Sequence, residues 1–280
     1  MKFEGEYLNG ERHGKGKEYY EDEKLKFEGE YLNEKKLNGK GYNKDGGIEY
    51  EIKNGKGYIK EYNLNGILLF EGEYLNGERN GKGKEYYDSG KLKFEGEFLN
   101  GKRNGKGKEY KSFYFCDKEI FEGEYINGER HGKGEEYYDN GKLKFEGEYI
   151  NGERYGKGKE YYDNKKLKFE GEYINGERYG KGKEYNDNGK LSFEGEYLNG
   201  KKIGKGKEYY KGELIFDGEF LNGERKGKGR EYNYFNSKLE FEGEYLKGKR
   251  NGKGKEYNND NLLFDGEYLK WKEKWKRKRI

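Results

Sequence analysis

The side chains that most often perform catalysis are scarce in this sequence. Among 280 residues there are two His, one Cys, four Ser and no Thr. A nucleophile–base pair or a tetrahedral zinc site needs more of these side chains. His13 and His131 share one position of a recurring phrase, which elsewhere holds Asn, Tyr, Lys or Ile, so we expect both to face solvent. The sequence therefore predicts a non-enzymatic protein with no catalytic residues, metal site or cofactor.

Two abundant patterns are weak evidence for chemistry. The many Glu residues are evenly spaced opposite Lys, which is typical of solvated strand faces rather than of paired catalytic carboxylates. The phrase Gly-Lys-Gly-Lys recurs throughout the chain and lacks the strand–loop–helix context of a phosphate-binding loop. We assign neither pattern a catalytic role.

The last residues carry a different chemistry. Lys270–Ile280 (KWKEKWKRKRI) has seven basic residues and one acidic residue, while the rest of the chain sums to −2 and lacks the basic stripe of a nucleic-acid groove. Trp271 and Trp275 would share one face of a helix, and Trp among cations is typical of an interfacial membrane anchor. Alternatively, both Trp fold back to cap the last strand, and the basic run keeps that edge soluble. The candidate membrane- or partner-binding residues are Trp271, Lys272, Lys274, Trp275, Lys276, Arg277, Lys278 and Arg279.

The rest of the chain repeats one phrase. Lys142–Asp163 reads KLKFEGEYINGERYGKGKEYYD, and the intervals from Phe145 to Phe169 and from Phe169 to Phe193 are both 24 residues. A degraded copy has Ile48 at the Phe position. A fixed period of this length predicts a repeat array, in which each unit buries its apolar face by stacking on its neighbours.

Within the phrase, residue types alternate with a period of two. Phe145, Gly147 and Tyr149 fall on one face of a predicted strand and the charged residues on the other. Asn151-Gly152 predicts a tight hairpin with positive φ at both residues. Folding the chain there places Tyr149 opposite Arg154, Gly147 opposite Gly156, Phe145 opposite Gly158, and Glu146 opposite Lys157. Asn140-Gly141 predicts a second hairpin of the same kind. The predicted core of the repeat is Phe145, Gly147, Tyr149, Gly156, Gly158, Phe169, Gly171 and Tyr173.

These features predict an all-β, elongated, single-layer antiparallel meander with two strands per repeat. Residues 1–269 form the array of about 11.5 repeats, irregular at 27–69 and with an insertion at 111–120, and residues 270–280 form the tail. At ~4.8 Å per strand the array would span roughly 100–110 Å. The irregular part is either a partner-specific site or a set of drifted repeats.

The phrase F-E-G-E-Y-x-N-G-x-R-x-G-K-G resembles the MORN (membrane occupation and recognition nexus) repeat. Tyr137–Leu143 (YYDNGKL) is closer to the bacterial variant of that repeat. Glu136, Glu160 and Glu184 lie on the predicted aromatic face, where the family commonly has an aromatic residue, so we expect a thinner or wetter core.

The resemblance implies a scaffold for cytoskeletal or membrane-associated assemblies that binds proteins along its sheet and self-associates through its ends. Two alternatives are a phospholipid-binding module acting through the tail at an anionic membrane, and an antitoxin-like binder of a small partner. The single Cys116 fits a reducing compartment, and no signal peptide or long apolar run is present. We expect a cytoplasmic protein, peripheral to membranes or cytoskeleton, that does not bind nucleic acid.

Overall fold

The part of the chain that the structure describes contains strands and no helix. The computed structural model describes residues 2–112, 117–271 and 274–279. The strands are β1 (Lys2–Leu8), β2 (Glu11–Tyr19), β3 (Leu25–Leu32), β4 (Lys35–Tyr42), β5 (Ile48–Ile52), β6 (Gly57–Tyr62), β7 (Leu68–Leu75), β8 (Glu78–Tyr86), β9 (Leu92–Leu99), β10 (Lys102–Ser112), β11 (Asp117–Ile126), β12 (Glu129–Tyr137), β13 (Leu143–Ile150), β14 (Glu153–Tyr161), β15 (Leu167–Ile174), β16 (Glu177–Tyr185), β17 (Leu191–Leu198), β18 (Lys201–Tyr210), β19 (Glu213–Leu221), β20 (Glu224–Tyr232), β21 (Leu239–Leu246), β22 (Lys249–Asn258), β23 (Asn261–Trp271) and β24 (Lys274–Arg279).

The strands fall into two compact units. The first comprises residues 1–142 with 150–152, and the second comprises residues 143–149 with 153–280. Within each unit, strands that follow one another in the chain pair antiparallel, except β5 and β6. The predicted all-β meander with two strands per repeat is confirmed. Cys116 lies outside the described residues.

The first turn of each repeat has the predicted conformation. Asn175 and Gly176 join β15 to β16 with φ values of 51° and 79°. Both central residues are thus left-handed, as a two-residue hairpin of this type requires. The Gly176 N–H then donates to the Arg154 carbonyl at 3.0 Å, so the turn also contacts the preceding repeat.

The second turn is a hairpin, but not of the predicted type. The Gly141 N–H donates to the Tyr138 carbonyl at 2.8 Å, which closes a turn whose central residues are Asp139 and Asn140. The left-handed residue is Gly141, with φ 76°, one position after the central pair. This is the three-residue arrangement in which a glycine forms a bulge after an ordinary turn.

A two-residue bulge in the second strand of the repeat alters the predicted register. In β15–β16, Gly171 pairs with Gly182 whereas Glu172 pairs with Tyr179, so two residues of β16 have no opposite partner. One of them is Gly180, whose φ of 60° explains why the position is glycine. Because of the bulge, Tyr173 pairs with Arg178 near the turn while Gly171 still pairs with Gly182 in the strand interior.

The expected pairs in β13–β14 are therefore partly wrong. A Cβ added to Gly147 would come 2.9 Å from the Cα of Gly158, so Gly147 faces Gly158 and not Gly156. In the next repeat, Phe169 lies opposite Glu184 and not opposite Gly182. Gly158 is the equivalent of Gly182, so it is not the partner of Phe145. On the other face, the ion pair of Glu146 is with Lys159 at 3.5 Å, not with Lys157. The expected Tyr149–Arg154 pair has its counterpart in Tyr173 opposite Arg178.

The aromatic side chains form one continuous row within each unit. Phe169 is fully buried and meets Tyr173 and Tyr197 edge to face, with ring centroids 5.7 and 5.3 Å apart. Its ring lies across Gly171 and Gly182, since a Cβ on Gly182 would stand 2.5 Å from the Phe169 Cζ. The many glycines are thus places where a ring covers backbone.

The irregular region contains a shortened hairpin. Tyr50 lies opposite Gly41, and Ile48 lies opposite Tyr42. In a regular repeat the corresponding pairs are Phe169 with Glu160 and Leu167 with Tyr161. Tyr50, rather than Ile48, therefore holds the position of the repeat phenylalanine, and the predicted alignment of this copy was wrong by two residues. The five-stranded sheet β1–β5 ends here, and only an isolated bridge joins Lys53 to Lys56 before β6.

The tail residues that the structure describes form strands rather than a helix. Strand β23 runs to Trp271 without a break at residue 269, and β24 pairs with it. Lys270 is opposite Trp275, and Tyr268 is opposite Arg277. The two Trp residues accordingly lie on neighbouring strands, not on one helical face. Lys272 lies outside the described residues.

Candidate partner-binding surfaces

A ladder of Arg and Glu side chains covers the aromatic row. The Arg178 guanidinium donates to Glu160 through Nε at 3.1 Å and Nη2 at 2.9 Å, and to Glu184 through Nη1 at 2.6 Å. Its Cζ lies 4.1 Å from the centroid of the Phe169 ring. Each such arginine thus joins the glutamate of the preceding repeat to that of its own repeat, above a phenylalanine.

The same arrangement recurs along both units. The cations of the ladder are Arg12, Lys36, Arg79, Arg103, Arg130, Arg154, Arg178, Lys202, Arg225 and Arg250. The sequence pattern placed the glutamates on this face but their partners were not predicted. A signal was available, because an Arg or Lys two residues after the turn glycine is followed six residues later by a Glu in nearly every repeat.

The charges of the ladder are strongly coupled. Burial by itself raises the pKa of Glu160, but Arg178 outweighs burial and holds that pKa below its usual range. Burial by itself lowers the pKa of Arg178, and Glu160 reverses the effect and raises it. The Tyr173 hydroxyl donates to Glu160 at 2.8 Å, and burial and this carboxylate both raise the tyrosine pKa. Glu160 and Arg178 are therefore held in their charged forms and Tyr173 in its neutral form.

The expectation of a wetter core is wrong. Phe145 and Phe169 are 0% exposed, and Tyr149 and Tyr173 are 1% exposed. The glutamates do not admit water to the rings, because the arginines that bind them lie flat over those rings. In these repeats the aromatic face is consequently closed by its own side chains.

The opposite face, here called the charged face, carries three rows of side chains. In β21–β22, Glu242 lies opposite Lys255 in the first charge row. The second row contains Glu244, opposite Lys228 of β20, and Lys253, opposite Glu267 of β23. Leu246 lies on the same face of β21, two residues after Glu244. The equivalent positions make an exposed aliphatic row, each member 38–52% accessible: Leu8, Leu32, Leu99, Ile126, Ile150, Ile174, Leu198, Leu221 and Leu246.

A groove runs between the two charge rows in each unit. In the second unit it has a volume of about 520 Å³, and its floor is the backbone of Gly229, Gly243 and Gly254. These glycines pair side by side on β20, β21 and β22, so the floor crosses the strands. In the first unit an equally large groove has Gly83, Gly96, Gly107 and Gly123 as its floor.

The charged face is held together more loosely than the ladder. Along the first charge row of the second unit, Arg230 and Glu242 are 3.6 Å apart and Lys255 and Asp265 are 4.0 Å apart. All four side chains are substantially exposed, and such pairs contribute little to stability. The groove charges thus remain available to a partner.

The predicted absence of catalytic and metal sites stays a prediction. Within residues 2–112, 117–271 and 274–279, no cluster of His, Cys, Asp or Glu is arranged to hold a metal ion. The same residues include no helix long and apolar enough to cross a bilayer. His131 is half-buried rather than fully solvent-facing. The tail candidates that are described lie on β23 and β24, and β23 also contributes Asp265 to the groove of the second unit.

Known repeat families match most of this chain. The MORN repeat matches residues 3–23, 94–112, 193–212, 216–233 and 241–262, and the MORN repeat variant matches residues 79–100, 130–151, 154–175 and 178–199. No curated protein matches. Two solved structures resemble it weakly, each at 12% identity over 94% of this chain. "Crystal Structure of TcdB2-TccC3-Cdc42" has a TM-score of 0.15 with 13% of that chain covered, and "Crystal Structure of TcdB2-TccC3" has 0.16 with 14% covered.

Proposed function

This chain belongs to the MORN repeat family, and we propose that it is a non-enzymatic scaffold that binds other proteins along its charged face. The observation that carries the proposal is the contrast between the two faces. The aromatic face uses its charges within its own ladder, whereas the charged face repeats a groove, two charge rows and an aliphatic row. A surface with regularly repeated polar and apolar groups suits an extended protein partner.

A capture experiment tests this proposal. The double variant Lys228→Glu/Lys253→Glu makes the second charge row acidic at two exposed positions without touching the ladder. Partners retained from a native lysate by the wild-type chain should be lost from this variant. The control variant Lys190→Glu/Lys211→Glu carries the same change in charge, but at the turns. It should retain the lysate partners. Equal retention by all three proteins would mean that the charged face is not the scaffold surface.

A second candidate function is binding to anionic phospholipid through the tail. What favours it is that β24 has five basic residues among its six, and each cation near an anionic surface contributes about 1 kcal/mol. Replacing Lys274, Lys276 and Lys278 by Gln should weaken binding to phosphatidylserine vesicles, with a steep dependence on salt. Unchanged binding would remove the lipid function while leaving the protein scaffold intact. A cytoplasmic location, peripheral to membranes or cytoskeleton, belongs to the same proposal.

A further inference from the structure

We propose that the groove of the second unit binds one α-helix of a partner protein, lying across the strands and carrying a seven-residue charge repeat. This inference rests on the proposed scaffold function and adds the shape and charge pattern of the partner. It follows from the spacing of charges on the charged face, from their sign, and from the aliphatic row beside them.

The sign of the groove charges alternates from one strand to the next. In the second charge row, Lys228 on β20 lies opposite Glu244 on β21. Lys253 follows on β22, within the bulge, and lies opposite Glu267 on β23. Neighbouring strands are about 4.8 Å apart, so opposite charges recur every ~4.8 Å and like charges every ~9.6 Å. The first charge row follows the same order with Arg230, Glu242 and Lys255.

An α-helix matches this spacing. Residues three or four apart share one face and are separated by about 4.5–6 Å along the axis, and residues seven apart by about 10.5 Å. A helix with Glu at one position, Lys three or four residues later and Glu again at the seventh therefore meets Lys, Glu and Lys in turn. Over three repeats the accumulated mismatch is ~3 Å, which a small tilt of the helix removes.

Other occupants fit less well. In an extended chain, side chains on one side recur every ~6.7 Å, which matches neither spacing of the groove. A nucleic acid carries negative charge only, and the glutamates of both rows repel it. The described residues of this chain contain no helix, so the occupant is a different protein rather than a second copy.

The aliphatic row supplies a second match. Leu198, Leu221 and Leu246 occur once in each repeat, beside the second charge row, and are 42–44% exposed. Their spacing is also two strands, or ~9.6 Å. One apolar residue in every seven of the helix would cover them, so the expected partner is amphipathic with a heptad repeat. The loose pairs at 3.6 and 4.0 Å can exchange their partners without exposing buried charge.

Two synthetic helices test the inference on the full chain. Both are 28-residue peptides of identical composition and equal helicity by circular dichroism. One has Glu, Lys and Leu arranged in heptads, and the other has the same residues scrambled. Fluorescence anisotropy should show the heptad peptide binding at least tenfold more tightly, with the difference shrinking as salt is raised. Equal affinities for the two peptides would overturn the inference.

The groove variant provides the matched comparison. Lys228→Glu/Lys253→Glu leaves an acidic row that no alternating helix can match in any register, so affinity for the heptad peptide should fall tenfold or more. Lys190→Glu/Lys211→Glu should leave it unchanged, and melting temperatures confirm that both variants are folded. A groove variant that binds the heptad peptide like the wild type would also refute the inference.

The outcome separates this inference from the scaffold proposal. If lysate partners depend on the groove charges but the heptad peptide binds no better than its scrambled form, the scaffold stands and the helix is wrong. If neither the partners nor the peptide respond to the groove variant, the scaffold proposal fails as well.

Discussion

A regular repeat and the irregular hairpin β5–β6 solve the same packing problem with different residues. In the regular repeat, Phe169 lies over two glycines and under Arg178, which binds Glu160. In the irregular hairpin, Ile52 faces Gly39 and Ile59 faces Gly72, so isoleucines fill positions at which regular repeats have glycine. Phe27, Tyr31, Tyr50, Ile52 and Ile59 form one buried apolar cluster there.

In this hairpin the ladder loses its cation together with the glutamate of β4, while Glu61 on β6 remains and binds Arg79 of the next repeat. Gly41 occupies the position of the ladder glutamate, and the turn Lys53–Lys56 leaves out the Tyr–Arg pair of a regular hairpin. A Cβ on Gly41 would stand 2.0 Å from the Tyr50 ring, so no glutamate fits. Removing one partner of a buried ion pair is costly, whereas replacing both by apolar groups is nearly neutral. The comparison teaches that where a cation and the glutamate before it are both absent, apolar side chains fill the space, and the remaining Glu61 still binds Arg79.

The largest expected effect comes from a side chain placed under a ring in a regular repeat. In Gly147→Val, the new Cβ would lie 2.6 Å from the Phe145 Cζ and 2.9 Å from the Gly158 Cα. Overpacking of this kind should cost ~3 kcal/mol or more. Glu146→Val, on the charged face, should cost less than ~1 kcal/mol. Equal melting temperatures of the two variants would show that the faces are assigned wrongly.

In the irregular hairpin, replacing a large side chain by a small one should be destabilising. Ile59 is 2% exposed within the apolar cluster, and Ile59→Ala should cost ~2–3 kcal/mol through the cavity it leaves. Ile48→Ala provides the control, since Ile48 is 56% exposed. Urea denaturation measures both. A small loss for Ile59→Ala would mean that the cluster does not replace the ladder.

An incomplete ladder should cost less than a damaged core. Arg178→Ala leaves Glu160 half-buried without its bidentate partner and should cost ~2 kcal/mol. Adding Glu160→Gln removes the stranded charge, so the double variant should be less destabilised than the sum of the two single variants. Strict additivity in this double-mutant cycle would show that the two side chains are not coupled.

The smallest expected change in stability is the one caused by protonating a single ladder carboxylate at low pH. Burial raises the pKa of Glu18 by itself, but Lys36, the Tyr31 hydroxyl and Arg12 together hold it below its usual range. The pKa of Glu160 is likewise lowered. Carboxylates with a lowered folded-state pKa stabilise above the unfolded value, about 4.3, and lose that contribution as pH falls through the folded pKa. Melting temperature should therefore fall steadily below pH ~5, and less steeply in Glu160→Gln.

At alkaline pH the tyrosines change stability in the opposite direction to the carboxylates, because their contribution is lost as pH rises. Burial, then the hydroxyl's bond to Glu170, raises the pKa of Tyr185 to about 12. A group with a raised pKa stabilises the fold below its unfolded value, about 10, and loses this as pH rises through the folded pKa. Spectrophotometric titration should show phenols ionising late and together with unfolding. Ionisation near pH 10 in the folded protein would contradict the burial of these hydroxyls.

The sequence by itself determined the local features of the fold. Period-two alternation placed Phe145, Gly147 and Tyr149 on one face, because neighbouring side chains in a strand must point to opposite sides. Asn-Gly determined the first turn, since few other pairs adopt two left-handed residues in succession. The period of 24 residues determined the array, and the wording of the repeated phrase indicated its family.

Only the tertiary structure decided the register in which the strands pair and the contacts between neighbouring repeats. The bulge at Gly180 depends on which residues lie opposite it, and several registers satisfy the same alternation. The position of Tyr50 likewise follows from its pairing with Gly41, not from its place in the phrase. The ladder joins residues 18 positions apart, such as Arg178 and Glu160, which meet only when one repeat stacks on another. Because stacking energy is shared between repeats, the sequence of one repeat cannot show which partner its charges will find.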